Sequence, residues 1–437
     1  MKLAGFLRAK KLSKAITDLK VFYNSQWSDD EMHSWQLKRF NEVWNGILNE
    51  VPYFMKLYHK GQVPKQFNSW KEFIRSVPVM TREVIQQNRD DLYSKRTKPD
   101  FFRMTGGTTA RPIQLPAWKS EISLTVPDMW YARSWYGVTP ASKLFLLWGH
   151  SHLLGSGIKG IINANKRNVS DRLLGYRRFS AYNLDEKSMR KAACELVRFK
   201  PEYVIGYSVA LDAFARANQD RSDMIRELNL KVVIAAAEGF PASDSESLIS
   251  KTFGCPLSME YGSVETFLMG HKQPQGGYFA VWGTYFIEAT DKGGHGRIVR
   301  VTSLFPRCFP LVRYEIGDEI ELYDGQDGLG VLKFVRVIGR CNDYICMRDN
   351  SKIHSEGFTH AIRSCPYIKR YQIKQEADKI VVKILVNEEF TYKHEAEIRE
   401  KLAKIHPDLG SVRFEKTDRF DQTIAGKTPM IIRGMST

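Results

Sequence analysis

The stretch FFRMTGGTTARPIQLP (residues 101–116) packs three threonines and two glycines into five consecutive positions, 105–109. Glycines let backbone N–H groups approach an anion closely, and threonine hydroxyls can turn their donors toward it. The composition is that of a phosphate cradle. A P-loop would end in Gly-Lys-Ser/Thr and run on into a helix whose N-terminus holds the phosphate. Here Arg111-Pro112 interrupts the chain, and Ile113 and Leu115 then flank Gln114 in a strand period. The segment predicts strand, loop, strand: a hairpin with a phosphate-gripping tip.

At 437 residues the chain exceeds one ordinary core, which predicts two or three domains. The hydrophobic content of 43% and aromatic content of 12% are those of a globular chain. No run approaches the ~18 apolar residues of a membrane span. The basic N-terminus has no apolar core of a secretory signal. Six scattered cysteines without a C-x-x-C pair suit reduced thiols and a cytoplasmic location. A formal charge of +16 favours anionic partners. No nucleic-acid motif with interleaved aromatics accompanies it, so no nucleic-acid partner is expected. Residues 1–22 space Leu3, Phe6, Leu7, Leu12, Ile16 and Leu19 at near-helical intervals between lysines. Two readings stay open for this helix: packing on the body, or peripheral contact with the inner face of a membrane.

Residues 23–100 read as helices with short connections. From 101 to about 335, compact apolar runs (142–150, 201–207, 230–238) alternate with amphipathic helical stretches (186–199, 243–253), an α/β pattern. Beyond 339 the texture changes to a hairpin over 371–387 turning at Ala377-Asp378, a charged helix over 394–406 and a strand over 411–417. The expected organisation is a large α/β body, 1–339, and a small mobile α+β lid, 340–437. GSGIKG (155–160) spells a dinucleotide fingerprint, but its strand ends too early, no clear helix follows and no ribose-binding acid lies downstream.

Several turns carry isolated polar residues. Glu265 follows the Gly-Ser turn of MEYGSVETF (259–267), Asp318 follows a glycine in RYEIGDEIEL (313–322), and Arg340 follows another in VIGRCNDYICMR (337–348). Lys427 sits on an Ala-Gly approach in DQTIAGKTPMIIR (421–433). Each alone reads as an ordinary turn or a solvated charge. Their order does not.

That order resembles the adenylate-forming ligase superfamily, and within it the phenylacetate–CoA ligase-like branch that includes CapK-type polysaccharide biosynthesis proteins. The segments 198–216, 235–243 and 253–266 are especially similar to that branch. The resemblance implies an enzyme that uses ATP and Mg²⁺ to adenylate a small carboxylic acid, then passes the acyl group to an acceptor. It implies that Thr105, Gly106, Gly107, Thr108 and Thr109 cradle the β- and γ-phosphates. Tyr261 and Gly262 would lie at the adenine and α-phosphate, Glu265 on Mg²⁺, and Glu238 near the adenine. Asp318 would hold the ribose hydroxyls with Arg340 assisting, and Lys427 would reach the α-phosphate from the lid. Tyr207, Ser208 and His150 would border the acid.

The sequence departs from that pattern at Gly106 (usually serine), Ala110 (usually glycine) and Asn342 (usually the hinge aspartate). Asp349 replaces the glycine that makes room for a pantetheine arm, and His354 stands near the usual proline. A carboxylate facing anionic coenzyme A is a poor match, which points to an amine or sugar acceptor. Two alternatives remain: an ordinary acyl-CoA synthetase, and a non-catalytic nucleotide-binding scaffold.

Overall fold

The computed structural model describes residues 3–104, 114–148, 157–181, 184, 186–236, 239–242, 244–291, 296–340, 344–349, 352–354, 358, 361–362, 365–376, 379–422 and 428–433. The chain opens with five helices: α1 (Leu3–Asn24), α2 (Asp29–Glu50), α3 (Pro52–His59), α4 (Trp70–Ser76) and α5 (Arg82–Gln87). Ser28 starts α2 with a capping box, its hydroxyl accepting the Glu31 N–H while the Glu31 carboxylate accepts the Ser28 N–H. Phe40, Val43, Trp44 and Ile47 recur at helical spacing and form the buried face of α2.

Strands β1 (Phe101–Met104) and β2 (Gln114–Ala117) pair antiparallel, Met104 opposite Gln114, so the Thr/Gly segment does tip a hairpin. After α6 (Lys119–Ser134) come β3 (Leu144–Leu147), α7 (Gly157–Leu174), β4 (Tyr176–Phe179), α8 (Glu186–Phe199) and β5 (Tyr203–Tyr207). Then follow α9 (Ser208–Ala217), α10 (Ser222–Arg226), β6 (Val233–Ala236), α11 (Ser245–Phe253), β7 (Leu257–Ser263), β8 (Phe267–Lys272) and β9 (Tyr278–Ala280). β10 (Tyr285–Thr290), β11 (Arg297–Ser303), β12 (Tyr314–Glu321), β13 (Lys333–Phe334) and β14 (Arg336–Arg340) complete this part.

One sheet has the order β13-β9-β8-β7-β6-β5-β3-β4, with β4, β3, β5, β6 and β7 parallel. Helices cover both faces of the parallel run, which is why its strands are apolar throughout. Val204 and Val233 face a core shared with Leu196, Phe214 and Phe253. Tyr203, Ile205 and Ile234 face Trp130 of α6, against which Leu12 and Ile16 of α1 also pack. A second, antiparallel sheet runs β10-β11-β12-β14. Trp70 of the helical layer stacks on Phe286 of β10 with ring centroids 3.5 Å apart.

The expectation that no helix follows GSGIKG is corrected: α7 begins at Gly157. Among its described side chains Ile162, Val169 and Leu173 are exposed, so they mark no inward apolar stripe.

The C-terminal segment holds a hairpin of β15 (Tyr344–Cys346) and β16 (Lys352–His354). A separate sheet has the order β19-β18-β17-β20, from β17 (Ile368–Glu376), β18 (Lys379–Val386), β19 (Arg413–Lys416) and β20 (Ile431–Arg433). β17 and β18 pair with Glu376 opposite Lys379, as the hairpin reading required. Ile398 and Leu402 of α12 (Tyr392–Ile405) close a core with Ile373, Val382 and Ile384.

The inner side of α1 packs on the body, as the first reading of the N-terminus expects. Its Tyr23 hydroxyl donates to Asp128 Oδ1 at 3.0 Å, and Thr284 Oγ1 donates to Oδ2 at 2.6 Å. Burial pushes the Asp128 carboxyl up to about 6, against the opposing pull of the Thr284 and Tyr23 hydroxyls. An acid whose folded value lies above its unfolded one contributes stability fully below about pH 4 and loses it as pH rises through about 6. The loss by neutral pH is on the order of 2–3 kcal/mol. Thermal melts from pH 4 to 7 should therefore show a fall in stability that Asp128→Asn flattens. Parallel pH profiles for the two proteins would rule the assignment out.

Candidate active site

The parallel strands end side by side. Tyr207, the last residue of β5, lies in register with Ala236, the last of β6, and Ala236 with Glu260 of β7. In open α/β sheets ligands bind outside these carboxyl ends. Tyr207 is buried with its ring 4.1 Å from that of Trp148, and Ser208 starts α9 fully buried.

Two strands away, Tyr261 is the next residue on β7 after Glu260 and its hydroxyl donates to Asp318 Oδ2 at 3.2 Å. Asp318 is half-buried on β12 and faces Arg340 of β14 in register. Gly317 before it has φ +80°, a left-handed conformation that a side chain would strain. Glu265 occupies the turn from β7 to β8, and Tyr314, the first residue of β12, donates to its Oε1 at 3.3 Å. Tyrosine–carboxylate contacts thus join the two sheets at both places.

The Glu265 turn is built rigidly. Ser263 and Thr266 exchange hydroxyl and N–H contacts across it, and the Tyr285 hydroxyl donates to the Thr266 carbonyl. Beneath it Arg103, one residue short of the hairpin tip's described edge, and Arg307 share Glu121 at 2.8 and 3.5 Å. Both guanidinium groups also donate to the Glu265 backbone carbonyl. All three side chains are almost wholly buried. Burial, and then the Arg307 charge, pull the Arg103 guanidinium below its ordinary range.

Gly262 has a structural reason as well as a proposed ligand role. A Cβ there would meet the Phe267 carbonyl oxygen at 1.8 Å, where the register of β7 against β8 shifts.

In the C-terminal segment Gln372 of β17 is fully buried. Its Nε2 donates to the carbonyls of Asp421 (3.0 Å) and Pro429 (2.9 Å), and its Oε1 accepts the Asp421 N–H. One side chain therefore clamps both flanks of the segment that carries Lys427.

The described residues thus bring together Tyr261, Gly262, Glu265 and Asp318, with the backbone of Arg340. Tyr207 and Ser208 lie at the same strand edge. Thr105, Gly106, Gly107, Thr108, Thr109, His150, Glu238 and Lys427 lie outside the described residues. Sequence reasoning missed Tyr314, Glu121, Arg103, Arg307 and Gln372. None of them left a local signal, because each acts through contacts distant in the chain. Among the described residues no cluster of three or more metal-ligating side chains occurs.

This fold is similar to that of solved adenylate-forming ligases. It is similar to 2-hydroxyisobutyryl-CoA ligase in its postadenylation state with 2-HIB-AMP, at a TM-score of 0.69 and 15% identity, covering 94% of this chain and 91% of that one. It is also similar to amide bond synthetase McbA from Marinactinospora thermotolerans, at a TM-score of 0.51 and 16% identity, covering 75% of this chain and 67% of that one. The resemblance to the CapK-type branch is borne out. Residues 345–434 match the CapK C-terminal domain family. Over 418 residues, 92% of this chain and 87% of the relative, the sequence is 22% identical to Protein CapK of Staphylococcus aureus.

Because backbone, not ligand space, surrounds the missing Cβ of Gly262, Gly262→Ala should destabilise by about 1–3 kcal/mol. Urea unfolding should show a lower midpoint in the ligand-free protein. An unchanged midpoint would mean that the turn relaxes freely.

Proposed function

We propose that the protein is an ATP-dependent, AMP-forming ligase that adenylates a carboxylic acid and transfers the acyl group to an amine or sugar acceptor in cell-surface polysaccharide assembly. The observation that carries the reading is the paired contact Tyr261–Asp318 and Tyr314–Glu265 at the carboxyl edge of the parallel strands. The domain boundary expected at Gly339-Arg340 belongs to this proposal, with residues 340–437 acting as the lid.

In the proposed reaction the acid's carboxylate oxygen attacks the α-phosphorus, the bond to the β-phosphate oxygen breaks, and pyrophosphate leaves. The protein's part is position and positive potential. Thr105–Thr109 would hold the β- and γ-phosphates by backbone N–H groups and hydroxyls. Asp318 would accept from the ribose hydroxyls, with Arg340 beside it and Glu238 near the adenine. Mg²⁺ suits Glu265: the ion takes one or two carboxylates together with phosphate oxygens, and Glu265 offers a single half-buried carboxylate held at Oε1 by Tyr314. Mg²⁺ bound there would screen the phosphates' charge. Lys427 would meet the α-phosphate as a point charge on a long stem. Tyr207, Ser208 and His150 would border the acid.

Asp318→Ala removes a charged acceptor contributing roughly 1.5–3 kcal/mol. ATP affinity should fall at least tenfold in calorimetric titration, while the melting temperature moves little. Unchanged affinity would take Asp318 out of the site.

The acceptor turns on Asp349, whose carboxylate is exposed and accepts His406 Nε2 at 3.1 Å. Negative charge at a pantetheine tunnel opposes coenzyme A, whereas an amine or a neutral sugar meets no such repulsion. The unmodified enzyme should release pyrophosphate with its acid yet form little acyl-CoA by mass spectrometry. Asp349→Gly should raise acyl-CoA formation and leave pyrophosphate release unchanged. Efficient acyl-CoA formation by the parent would make it an acyl-CoA synthetase; no pyrophosphate release over a broad acid panel would leave the nucleotide-binding scaffold.

A further inference from the structure

The surface made by α1 and α7 combines exposed apolar side chains with exposed cations. Of the fifteen large apolar residues exposed among the described residues, six lie on these two helices: Phe6, Leu7, Val21, Ile162, Val169 and Leu173. On α7 the positions 162, 166, 169 and 173 follow the i, i+4, i+7, i+11 spacing of a single helix face. That outward face reads Ile, Lys, Val, Leu, all exposed. On α1 the side away from Leu12 and Ile16 carries Leu7, Lys10, Lys14 and Val21. Lys11 and Phe6 flank it. The two helices are neighbours: a Cβ on Gly5 would lie 3.6 Å from the Leu174 carbonyl, which brings Phe6 and Leu7 beside the end of α7.

The charge on this face is lopsided. Lys10, Lys11, Lys14, Lys20, Lys166 and Arg172 are exposed. Against them stands Asp18 of α1. Asp171, the acid of α7, is buried and paired with Arg178 at 2.5 Å. Arg8 turns inward, donating to the Tyr176 hydroxyl, and so anchors α1 instead of joining the surface. No helix among the described residues is long and apolar enough to cross a membrane.

A helix pair held to the body by its inner side, with apolar residues and lysines interleaved outside, has the composition of a surface that lies in a lipid interface. Apolar side chains enter the headgroup boundary, and lysine stems snorkel so that their ammonium groups meet lipid phosphates. Nucleic acid would leave the apolar residues in water, and a second copy of this face would set lysines against lysines.

We infer that the α1–α7 face docks on an anionic phospholipid bilayer, holding the protein at the membrane surface without spanning it. α7 supplies half of the site, which residues 1–22 alone would not form. The inference rests on none of the adenylation chemistry.

Flotation with phosphatidylcholine vesicles, with and without phosphatidylglycerol, tests it on the full chain. Binding should require phosphatidylglycerol and weaken as salt rises. The triple variant Lys10→Glu, Lys14→Glu, Lys166→Glu should lose partitioning on the order of 10²-fold or more. The pair Val169→Asp, Leu173→Asp should lose at least tenfold, and Val169→Ala with Leu173→Ala should show a smaller loss in the same direction. Melting temperature and pyrophosphate release with soluble substrates should match the parent in each, so a failure here is separable from a failure of the ligase assignment. Equal binding to neutral vesicles, no binding, or variants that bind like the parent would overturn the inference. So would a parent dimer in light scattering that Val169→Asp, Leu173→Asp dissociates, which would make the face a contact between copies.

Discussion

The site hangs on one buried guanidinium. Arg313 stands immediately before β12, and its Nε and Nη2 grip Glu288 of β10 at 2.9–3.2 Å while Nη1 donates to the Ile74 and Val77 carbonyls at 2.7 and 2.6 Å. Its own carbonyl accepts the Met80 N–H. One side chain thereby ties the end of α4, the loop after it and the second sheet together. It does so at φ +48°, a left-handed conformation that costs a non-glycine residue about 1–3 kcal/mol. That strain is tolerable only because so many partners determine the geometry. The next residue is Tyr314, which holds Glu265, and four further on is Asp318, which receives Tyr261. Arg313 therefore sets where β12 starts, and β12 sets two of the site's carboxylates. Taking away either partner would leave an uncompensated buried charge, a far larger loss than the net contribution of the pair.

A second buried charge cluster lies beneath the Glu265 turn. Arg103 and Arg307 share the single carboxylate of Glu121, so the group carries an excess positive charge in a region nearly closed to water. Water screens such charges little, and their potential reaches further than it would at the surface. Arg103 lies on β1, which leads directly into the Thr/Gly hairpin. Positive charge there would favour the polyphosphate of the proposed function. The same guanidinium groups hold the Glu265 carbonyl, so the turn that bears the carboxylate proposed for Mg²⁺ is tied to β1.

Where the sequence was legible, the reason is periodicity. α8 was readable to its ends because Met189, Ala192, Ala193 and Leu196 fall at helical spacing between charges, and the structure buries all four. The hairpin of β1 and β2 was readable from Arg111-Pro112 and the alternation after it. α7 was not readable, because its apolar residues serve an outer face and do not mark a core stripe. The candidate site divides in the same way. Glu265 and Asp318 were visible because each follows a glycine-bearing turn. Tyr314, Arg307 and Glu121 were not, because Tyr314 and Arg307 reach Glu265 across 49 and 42 positions and Glu121 accepts the Cys308 N–H across 187, which no local pattern records. Gly262 was read for a ligand. The Phe267 carbonyl shows that the fold itself also forbids a side chain there.

Gln372 completes this division of labour between local pattern and distant contact. A glutamine within a β-strand run carries no sequence signal, yet its carboxamide satisfies three backbone groups at Asp421 and Pro429. A polar side chain buried so completely is stable only when its donors and acceptor are matched, which makes the arrangement specific. Residues 421 and 429 are thereby both fixed to one amide, and a stretch of chain anchored at both ends has less conformational freedom to lose than a free tail. Lys427 lies inside it. In the proposed function this lysine meets a phosphate, and anchoring both flanks of its segment would restrict its search beforehand.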